Sequence, residues 1–407
     1  MVFYHLSVIL SIFNYKFYSF CDIFTNFGSY FLQIKKSFVI FCISKHKIYI
    51  DFTVCLCYNY MVIFEFGGRM MKVTLSDIAK ATGFSVNTVS HALSGKPDIS
   101  EKTRSIIKDA AEKLGYLKNY AASCMRTGKS MMVAIIIPDI KNPFFSVIIR
   151  DIESILFKEG YTVAIFNTNE DANHERAAID ACLVRNMDGI IICPTQKSVA
   201  NISFLKNSSV PYILMSRHFG DMSCTCVGHD DIKGGYLATR HLVDLGHRRI
   251  AFFSADQRIS SASERLEGYK EALREAGIMH NPLNVISLST TASTENTAPI
   301  KTFFDKNPDC TAVVAFNDII AFQTIHFLEK IGKRVPEDVS VVGFDNVSSD
   351  FIFPFPLTSI SVSKKEMATV TARLLIEAIT AKSPPPTQRI VLSSQLLVRD
   401  STARAKT

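Results

Sequence analysis

The chain is poor in the residues that mark several protein classes. Gly (18) and Pro (14) are too few among 407 residues for a collagen-like or Pro/Gly-rich low-complexity chain. Charged residues make up only 20% against 47% hydrophobic, so packed cores are expected along most of the chain and wholesale disorder is excluded. No apolar run reaches the roughly 18–20 residues of a membrane span. Stretches 1–15 and 52–64 lack Asp, Glu, Lys and Arg but are shorter, and Asp22, Lys35 and Lys36 interrupt what lies between. A basic start followed by a small-residue cleavage site, the mark of a secretory signal, is absent. No CxxC pair exists: Cys224 and Cys226 form CxC, not the CxxC of common zinc sites. The cysteines are therefore expected to be free thiols in a reducing cytoplasm, and neither a metal nor any other cofactor is expected. There is no P-loop, no GxSxG and no metal-ligand His cluster, and His91, His229, His241 and His247 have no evident nucleophile partner. An enzyme is not expected.

What is present is unevenly spread. The net charge is +7, yet residues 131–407 are nearly neutral, while 71–130 hold ten Lys/Arg against five Asp/Glu. A small basic segment precedes a large neutral body, and a basic segment suits a polyanionic partner. Residues 1–69 hold 19 of the 43 aromatic residues and no Ala or Pro. Phe, Tyr, Ile, Lys and Asn have AT-rich codons, and Gly67-Gly68-Arg69 ahead of Met70-Met71 can be encoded by a GGAGG run, like a bacterial ribosome-binding site. Residues 1–70 are thus expected to be a non-native extension from an over-extended start, in preference to a membrane anchor or a signal.

Residues 71–117 carry the marks of a small helical module. Thr74 and Asp77 form a capping box, and the first helix stops at Gly83. Ser85 caps a second helix, Val86 to about Leu93, with Val89 and Leu93 facing inward. Ser100 caps a third, with Ile106, Ala110 and Leu114 on one stripe, Thr103, Ile107 and Ala111 beside it, and Gly115 at its end. Two short helices across a Gly-Phe turn, closed by a third, predict helix-turn-helix architecture. The second helix then presents Val86, Asn87, Ser90 and His91. Asn pairs bidentately with adenine, Val meets a thymine methyl, and nearby Lys and Arg attract phosphate.

The body over 131–402 alternates apolar strand-length runs with helical patterns. Runs at Val133–Ile137, Thr162–Phe166, Gly189–Cys193 and Pro211–Met215 are followed by a second series at Ile250–Phe253, Ala312–Phe316 and Val339–Gly343. Such repeats predict an α/β fold with parallel sheets covered on both faces. About 270 residues is large for one sheet, so two similar lobes are expected. Ligands of open parallel sheets bind beyond the carboxyl ends of the strands. Those ends carry Asp139 and Asn142 with Phe144 and Phe145, then Asn167, then Ser216 and Arg217 with Asp230 beyond, and in the second series Asn317, Asp318 and Asp345. Arg265 opens an Arg-Leu-Glu-Gly-Tyr helix. Asn, Asp and Arg can make paired hydrogen bonds to vicinal hydroxyls, and a Phe face can stack on a sugar ring. Taken singly, any one of these residues is more often a helix N-cap or a loop polar group, and it is the ordered set that points to a ligand.

Residues 73–95, VTLSDIAKATGFSVNTVSHALSG, resemble the headpiece of the LacI/GalR family of bacterial repressors. Ile99-Ser100-x-x-Thr103-Arg104, Leu114-Gly115-Tyr116 and Arg126-Thr127-Gly128-Lys129-Ser130 continue the match. So do Asn142-Pro143-Phe144-Phe145, Gly234-Gly235, Leu245-Gly246-His247, Gly268-Tyr269 and Gly343-Phe344-Asp345, so the resemblance runs from about Val73 to Thr402. It implies a helix-turn-helix headpiece on a two-lobed body of the periplasmic-binding-protein type, with three interlobe crossings. The first lobe is expected over about 131–245 and 364–392, the second over 246–362 and 393–402. The DNA contacts it implies are Thr74, Ser85, Val86, Asn87, Thr88, Ser90 and His91. Residues 118–130 become a hinge helix in which Ala122 and Met125 enter the minor groove, Met125 where the family wedges a Leu and Lys118 where it often has Pro. Arg265, Asn317 and Asp345 match positions that commonly contact effector. The implied function is a cytoplasmic, nucleoid-associated, sequence-specific repressor of double-stranded DNA, controlled by a small molecule for which a sugar is the first expectation. Alternatives are control by a nucleobase or a partner protein, or a sugar-binding receptor. With no Leu heptad tail, a homodimer on a pseudo-palindromic operator is expected.

Overall fold

A computed structural model describes residues 73–117, 124, 128–220, 223–290, 294–347 and 355–406. The expectations for residues 1–70, and for Ala122 and Met125 of the hinge segment, lie outside the described residues. The chain divides into two units, 1–118 and 119–407.

The first unit holds α1 (Leu75–Thr82), α2 (Val86–Leu93) and α3 (Glu101–Lys113). The Asp77 carboxylate accepts hydrogen bonds from the Thr74 N–H and hydroxyl at 2.9 and 2.7 Å. The Ser85 and Ser100 hydroxyls accept from the N–H groups of Thr88 and Thr103. Gly83 ends α1 with φ 75°, a left-handed turn that any Cβ would strain. Ile78, Ala79, Val89, Ala92, Ile107 and Ala111 form the core. The expected principal stripe of α3 is corrected: Ile106 and Leu114 are exposed and Ala110 is partly buried, because two eight-residue helices cover only the adjacent Ile107–Ala111 stripe. Leu93 is likewise partly buried, and Ala92 takes the inner place.

The second unit contains two six-stranded sheets. The first holds β1 (Met132–Ile137), β2 (Thr162–Asn167), β3 (Gly189–Ile192), β4 (Tyr212–Met215), β5 (Cys226–His229) and, from far along the chain, β11 (Arg389–Leu392), in the order β11-β5-β4-β3-β1-β2, all parallel. The second holds β6 (Ile250–Ser254), β7 (Val285–Ser287), β8 (Ala312–Ala315), β9 (Ser340–Phe344), β10 (Thr358–Val362) and β12 (Ser394–Leu397), in the order β12-β10-β9-β8-β6-β7. Its one departure from parallel is β12, antiparallel to β10. The chain runs from β11 into β12 through Ser393 alone, so it enters the second sheet in a fixed direction with no helix to turn it.

Both faces of each sheet are covered. Along β1, Val133, Ile135 and Ile137 enter one hydrophobic cluster, and Ala134 and Ile136 the other. This is the two-residue alternation of a strand buried on both sides. In the first lobe, α4 (Pro143–Lys158) packs with α11 (Lys364–Thr380) on one face, and α5 (Ala172–Val184) and α6 (Val199–Lys206) take the other. In the second lobe, α7 (Asp231–Asp244) and α8 (Ser260–Glu275) cover one face, and α9 (Thr297–Lys306) and α10 (Asp318–Lys330) the other. The lobes are joined by three crossings, between β5 and α7, between β10 and α11, and between β11 and β12. The first falls at Asp230–Asp231, not near residue 245: α7 packs on β12, β10 and β9 of the second sheet, so its apolar face is buried in the second lobe.

The crossing of α7 with α8 is tight. A Cβ on Gly235 would lie 2.1 Å from the Arg265 carbonyl oxygen, and one on Gly268 2.0 Å from that of Ile232. Only glycine allows this approach. The approach sets Arg265 of α8 beside Asp231 at the start of α7, within the bond that builds the site.

Candidate functional site

In the helical unit, the face of α2 away from the core carries Ser85, Val86 and Asn87, all exposed, with Thr88, Ser90 and His91 partly buried. Val86 is 47% exposed, far more than a core valine, so its methyls are open to a partner. Thr74 is exposed with its hydroxyl donating to Asp77. His91 is less free than its position predicts: Nδ1 lies 2.6 Å from the Asp98 carboxylate and Nε2 3.3 Å from Lys96 Nζ. The histidine holds Asp98 well below the usual carboxylate range. Arg104 donates to the carbonyls of Ala92, Lys96 and Ile99, so the loop after α2 is pinned to α3.

In the body, groups that follow strands of the first sheet meet groups of the second lobe, Glu170 with Thr290 and Gln196 and His218 with Ser260. Arg265, 6% exposed, donates from Nε to Asp231 at 2.7 Å, and its terminal nitrogens reach the Phe316 carbonyl and, at 3.7 Å, the Asp345 carboxylate. Its guanidinium lies 3.4 Å over the Phe344 ring and 4.6 Å from that of Phe316. Two aromatic faces and two carboxylates thus fix one cation. Burial pushes Asp345 up to about 7, with Arg265 and Lys364 opposing. Asp318 is pushed up to about 7 by burial and by the neighbouring Asp345 charge. Lys364 Nζ donates to the carbonyls of Asp345 and Asn346. On the first lobe, Arg217 meets Glu170 bidentately at 2.9 and 2.6 Å, and the Glu170 carboxylate also accepts from Thr290 of the second lobe. Burial is the largest influence and acts against the Arg217 charge, but Glu170, Cys193 and Glu175 together outweigh it and hold the guanidinium above its ordinary range.

The loops that present these groups are strained. Asn169, Glu170, Gln196, Ser216, Asp345 and Asn346 all have positive φ without being glycine. Such left-handed residues concentrate where surrounding structure overdetermines a functional geometry.

The structure distributes the expected effector residues into two groups. Arg265 and Asp345 meet one another in the second lobe, and Arg217 pairs with Glu170, which in turn bonds Thr290 of the second lobe. Asn142, Asp230 and Asn317 spend their side-chain oxygens as helix caps, accepting from the N–H groups of Phe144, Lys233 and Ile320. The acidic group at the first crossing that reaches Arg265 is Asp231, one residue past the expected Asp230. Asp318 is turned inward, accepting from Ser359 and the Val347 N–H. Phe144 and Phe145 are buried in the first-lobe core, edge to face at 5.1 Å. Asn167 is partly buried, accepting from the Ile140 N–H and donating to Asn169.

Residues the sequence did not single out join the two lobes. Glu170 and Thr290 join the lobes, as do Gln196 and His218, which meet Ser260, and Glu264, which receives His218 and Arg389. His229 closes β5 against Phe144, its Nε2 buried without a partner among the described residues, and burial lowers it to about 3. Glu170 was within reach, since it follows the second strand just as Arg217 follows the fourth. Thr290 had no signal, because β7 is three residues long. Among the described residues, no group of three His, Cys, Asp or Glu could hold a metal ion, and no helix is long and apolar enough to cross a membrane.

Residues 74–119 match the family of bacterial regulatory proteins of lacI type, and residues 130–394 match periplasmic binding proteins and the sugar-binding domain of the LacI family. The arabinose metabolism transcriptional repressor of Halalkalibacterium halodurans is 34% identical over 287 residues, 67% of this chain and 76% of that one. The HTH-type transcriptional regulator DegA of Bacillus subtilis is 31% identical over 342 residues, 83% of this chain and 100% of its own. Among solved structures, the complex of the transcriptional regulator CelR with cellobiose superposes with a TM-score of 0.61 at 29% identity, covering 81% of this chain and 99% of that one.

Proposed function

Because the chain belongs to the LacI family of bacterial regulatory proteins, we propose that it is a transcriptional repressor whose hold on DNA is set by a sugar bound between the lobes. The observation that carries the sugar reading is the Arg265 cluster, where a guanidinium fixed between two carboxylates and two aromatic rings offers paired hydrogen bonds to vicinal hydroxyls. Asn87, Val86 and their neighbours on α2 would read the major groove, and the basic headpiece would supply phosphate attraction. Effector binding would act on DNA through different affinities for the two lobe arrangements. The protein would work in the cytoplasm, on the nucleoid, as a homodimer on a pseudo-palindromic operator. Exposed apolar side chains beside the two outer strands, Phe157 and Ile165 near β2 and Met279 and Leu283 ahead of β7, support a second copy covering that edge.

The test is thermal unfolding across a panel of sugars, sugar phosphates and nucleobases, followed by operator binding with and without the stabiliser. A ligand at 100 times its dissociation constant adds about 2.7 kcal/mol. Asp345→Ala should remove that response and leave operator affinity intact. If the variant still responds, the cleft is misassigned. A nucleobase as the sole stabiliser overturns the sugar reading, and silence across the panel turns it to a partner protein.

A further inference from the structure

Arg217, Arg265 and Lys364 are all buried, and each is already engaged by other groups. The Arg217 fork is closed by both carboxylate oxygens of Glu170, and its Nη1 also donates to the Pro194 carbonyl at 2.9 Å. Arg217 and Glu170 are 5% and 9% exposed, so solvent screens the pair little. Arg265 is matched by Asp231 and Asp345, and Lys364 by two carbonyls. Two left-handed residues, Glu170 at φ 56° and Ser216 at φ 69°, present the first pair. Strain is thus maintained in both loops that bring this carboxylate to this guanidinium. Thr290 donates to Glu170 from the opposite lobe at 3.2 Å, so the pair sits where the lobes meet.

A buried guanidinium without a carboxylate is a strong site for phosphate or carboxylate, because its planar fork matches both. Here the end-on fork, Nη1 and Nη2, is taken by Glu170, and the remaining Nε–Nη2 edge lies beside that carboxylate, which cancels the charge that would draw an anion to it. An incoming anion would either displace Glu170 and leave that carboxylate buried and unpaired, or bind the free edge beside a like charge in a poorly screened site, and both are costly. An uncharged polyol faces no such barrier. It can accept from the outer guanidinium N–H groups and donate to the carboxylate edges without breaking any pair.

We propose that Glu170 is the charge filter of the effector site: by closing the Arg217 fork it makes the cleft take uncharged polyhydroxy ligands and refuse phosphorylated or acidic ones. This rests on the reading of the cleft as the effector site. Glu170 acts on the ligand through Arg217 and is a specificity-setting, positioning residue.

The test compares the wild-type protein, Glu170→Gln and Glu170→Gln/Arg217→Met, each titrated by calorimetry and thermal unfolding with inorganic phosphate at matched ionic strength, and separately with L-arabinose, D-ribose and cellobiose. Gln keeps the shape of Glu170 and removes its charge. The filter predicts that Glu170→Gln binds phosphate at least about tenfold more tightly than wild type, as a freed guanidinium would. That gain should vanish in the double variant. Equal phosphate responses in wild type and Glu170→Gln overturn the proposal, as does a gain that survives loss of Arg217. A Glu170→Gln protein that is merely less stable and gains no phosphate binding assigns the pair a structural role only, and also overturns it. If no neutral sugar stabilises any of the three proteins, the sugar reading fails while the phosphate comparison still decides the role of Glu170.

Discussion

Removing Arg265 tests the electrostatics of the cleft most directly. Arg265→Met keeps an unbranched apolar stem against Phe316 and Phe344 and deletes the guanidinium. Asp231, 4% exposed, then loses its 2.7 Å partner, and Asp345 loses the cation at 3.7 Å. Breaking a buried pair from one side costs about 3–5 kcal/mol, because the surviving charge stays desolvated. That cost depends on pH, and its sign follows from which groups hold protons. Burial already raises Asp231, with Arg265 opposing, and raises Asp345 to about 7 from an ordinary 3.8. Without Arg265 both rise further. The folded variant then binds protons that the unfolded chain does not, from about pH 4 up to the raised folded value. Its stability is highest at the acid end of that window and is lost as pH rises through it, by about 1.4 kcal/mol per pH unit for each proton taken up. Arg265→Met should therefore show its full deficit relative to wild type at pH 8 and a clearly smaller one at pH 5.5. Asp231→Asn added to Arg265→Met should recover part of the loss at pH 8, giving a coupling of more than about 1 kcal/mol in a double-mutant cycle. Urea unfolding followed by circular dichroism at the two pH values reads both quantities. Equal deficits at both pH values, or additive single variants, would refute the account of Arg265 as the counter-ion of two buried carboxylates.

Three further outcomes follow from the same geometry. Asn87→Ala should lose about 1–3 kcal/mol of discrimination at the base it reads, measured by fluorescence anisotropy on operators varied one base pair at a time, and unchanged discrimination would remove α2 from the major groove. Gly268→Ala should destabilise the second lobe by about 1–3 kcal/mol or more, because its Cβ must push α7 away, whereas Gly277→Ala, at φ 66° with nothing within 4 Å, should cost only its backbone strain. Glu264→Gln weakens the contacts with His218 and Arg389 that join the lobes, so it should lower effector affinity by about tenfold or less without altering which ligand is chosen, as isothermal titration can establish.

The local features were legible in the sequence because they are set by neighbours along the chain. The capping residues Thr74, Ser85 and Ser100, the stop at Gly83 and the strand runs from Val133 onward depend on hydrogen bonds or alternation within a few residues, and each appears where the pattern put it. Residues beyond strand ends were legible as a set, because a parallel sheet gathers those ends on one edge whatever its details.

Which members of the set meet one another was decided only by tertiary contact. Asn142, Asp230 and Asn317 have the right chemistry, but backbone N–H groups of their own helices claim their oxygens. Asp231 rather than Asp230 faces Arg265, because α7 crosses α8 at Gly235 and Gly268 and so belongs to the second lobe. His91 is drawn to Asp98 by the loop that Arg104 anchors. The partnership of Glu170, Arg217 and Thr290 joins positions 47 and 120 residues apart. Sequence alone fixes what is local, since hydrogen bonds and side-chain periodicity act over a few residues. The pairing of charges at a cleft depends on how two lobes, crossed three times by one chain, pack against each other, and no pattern within a segment encodes that.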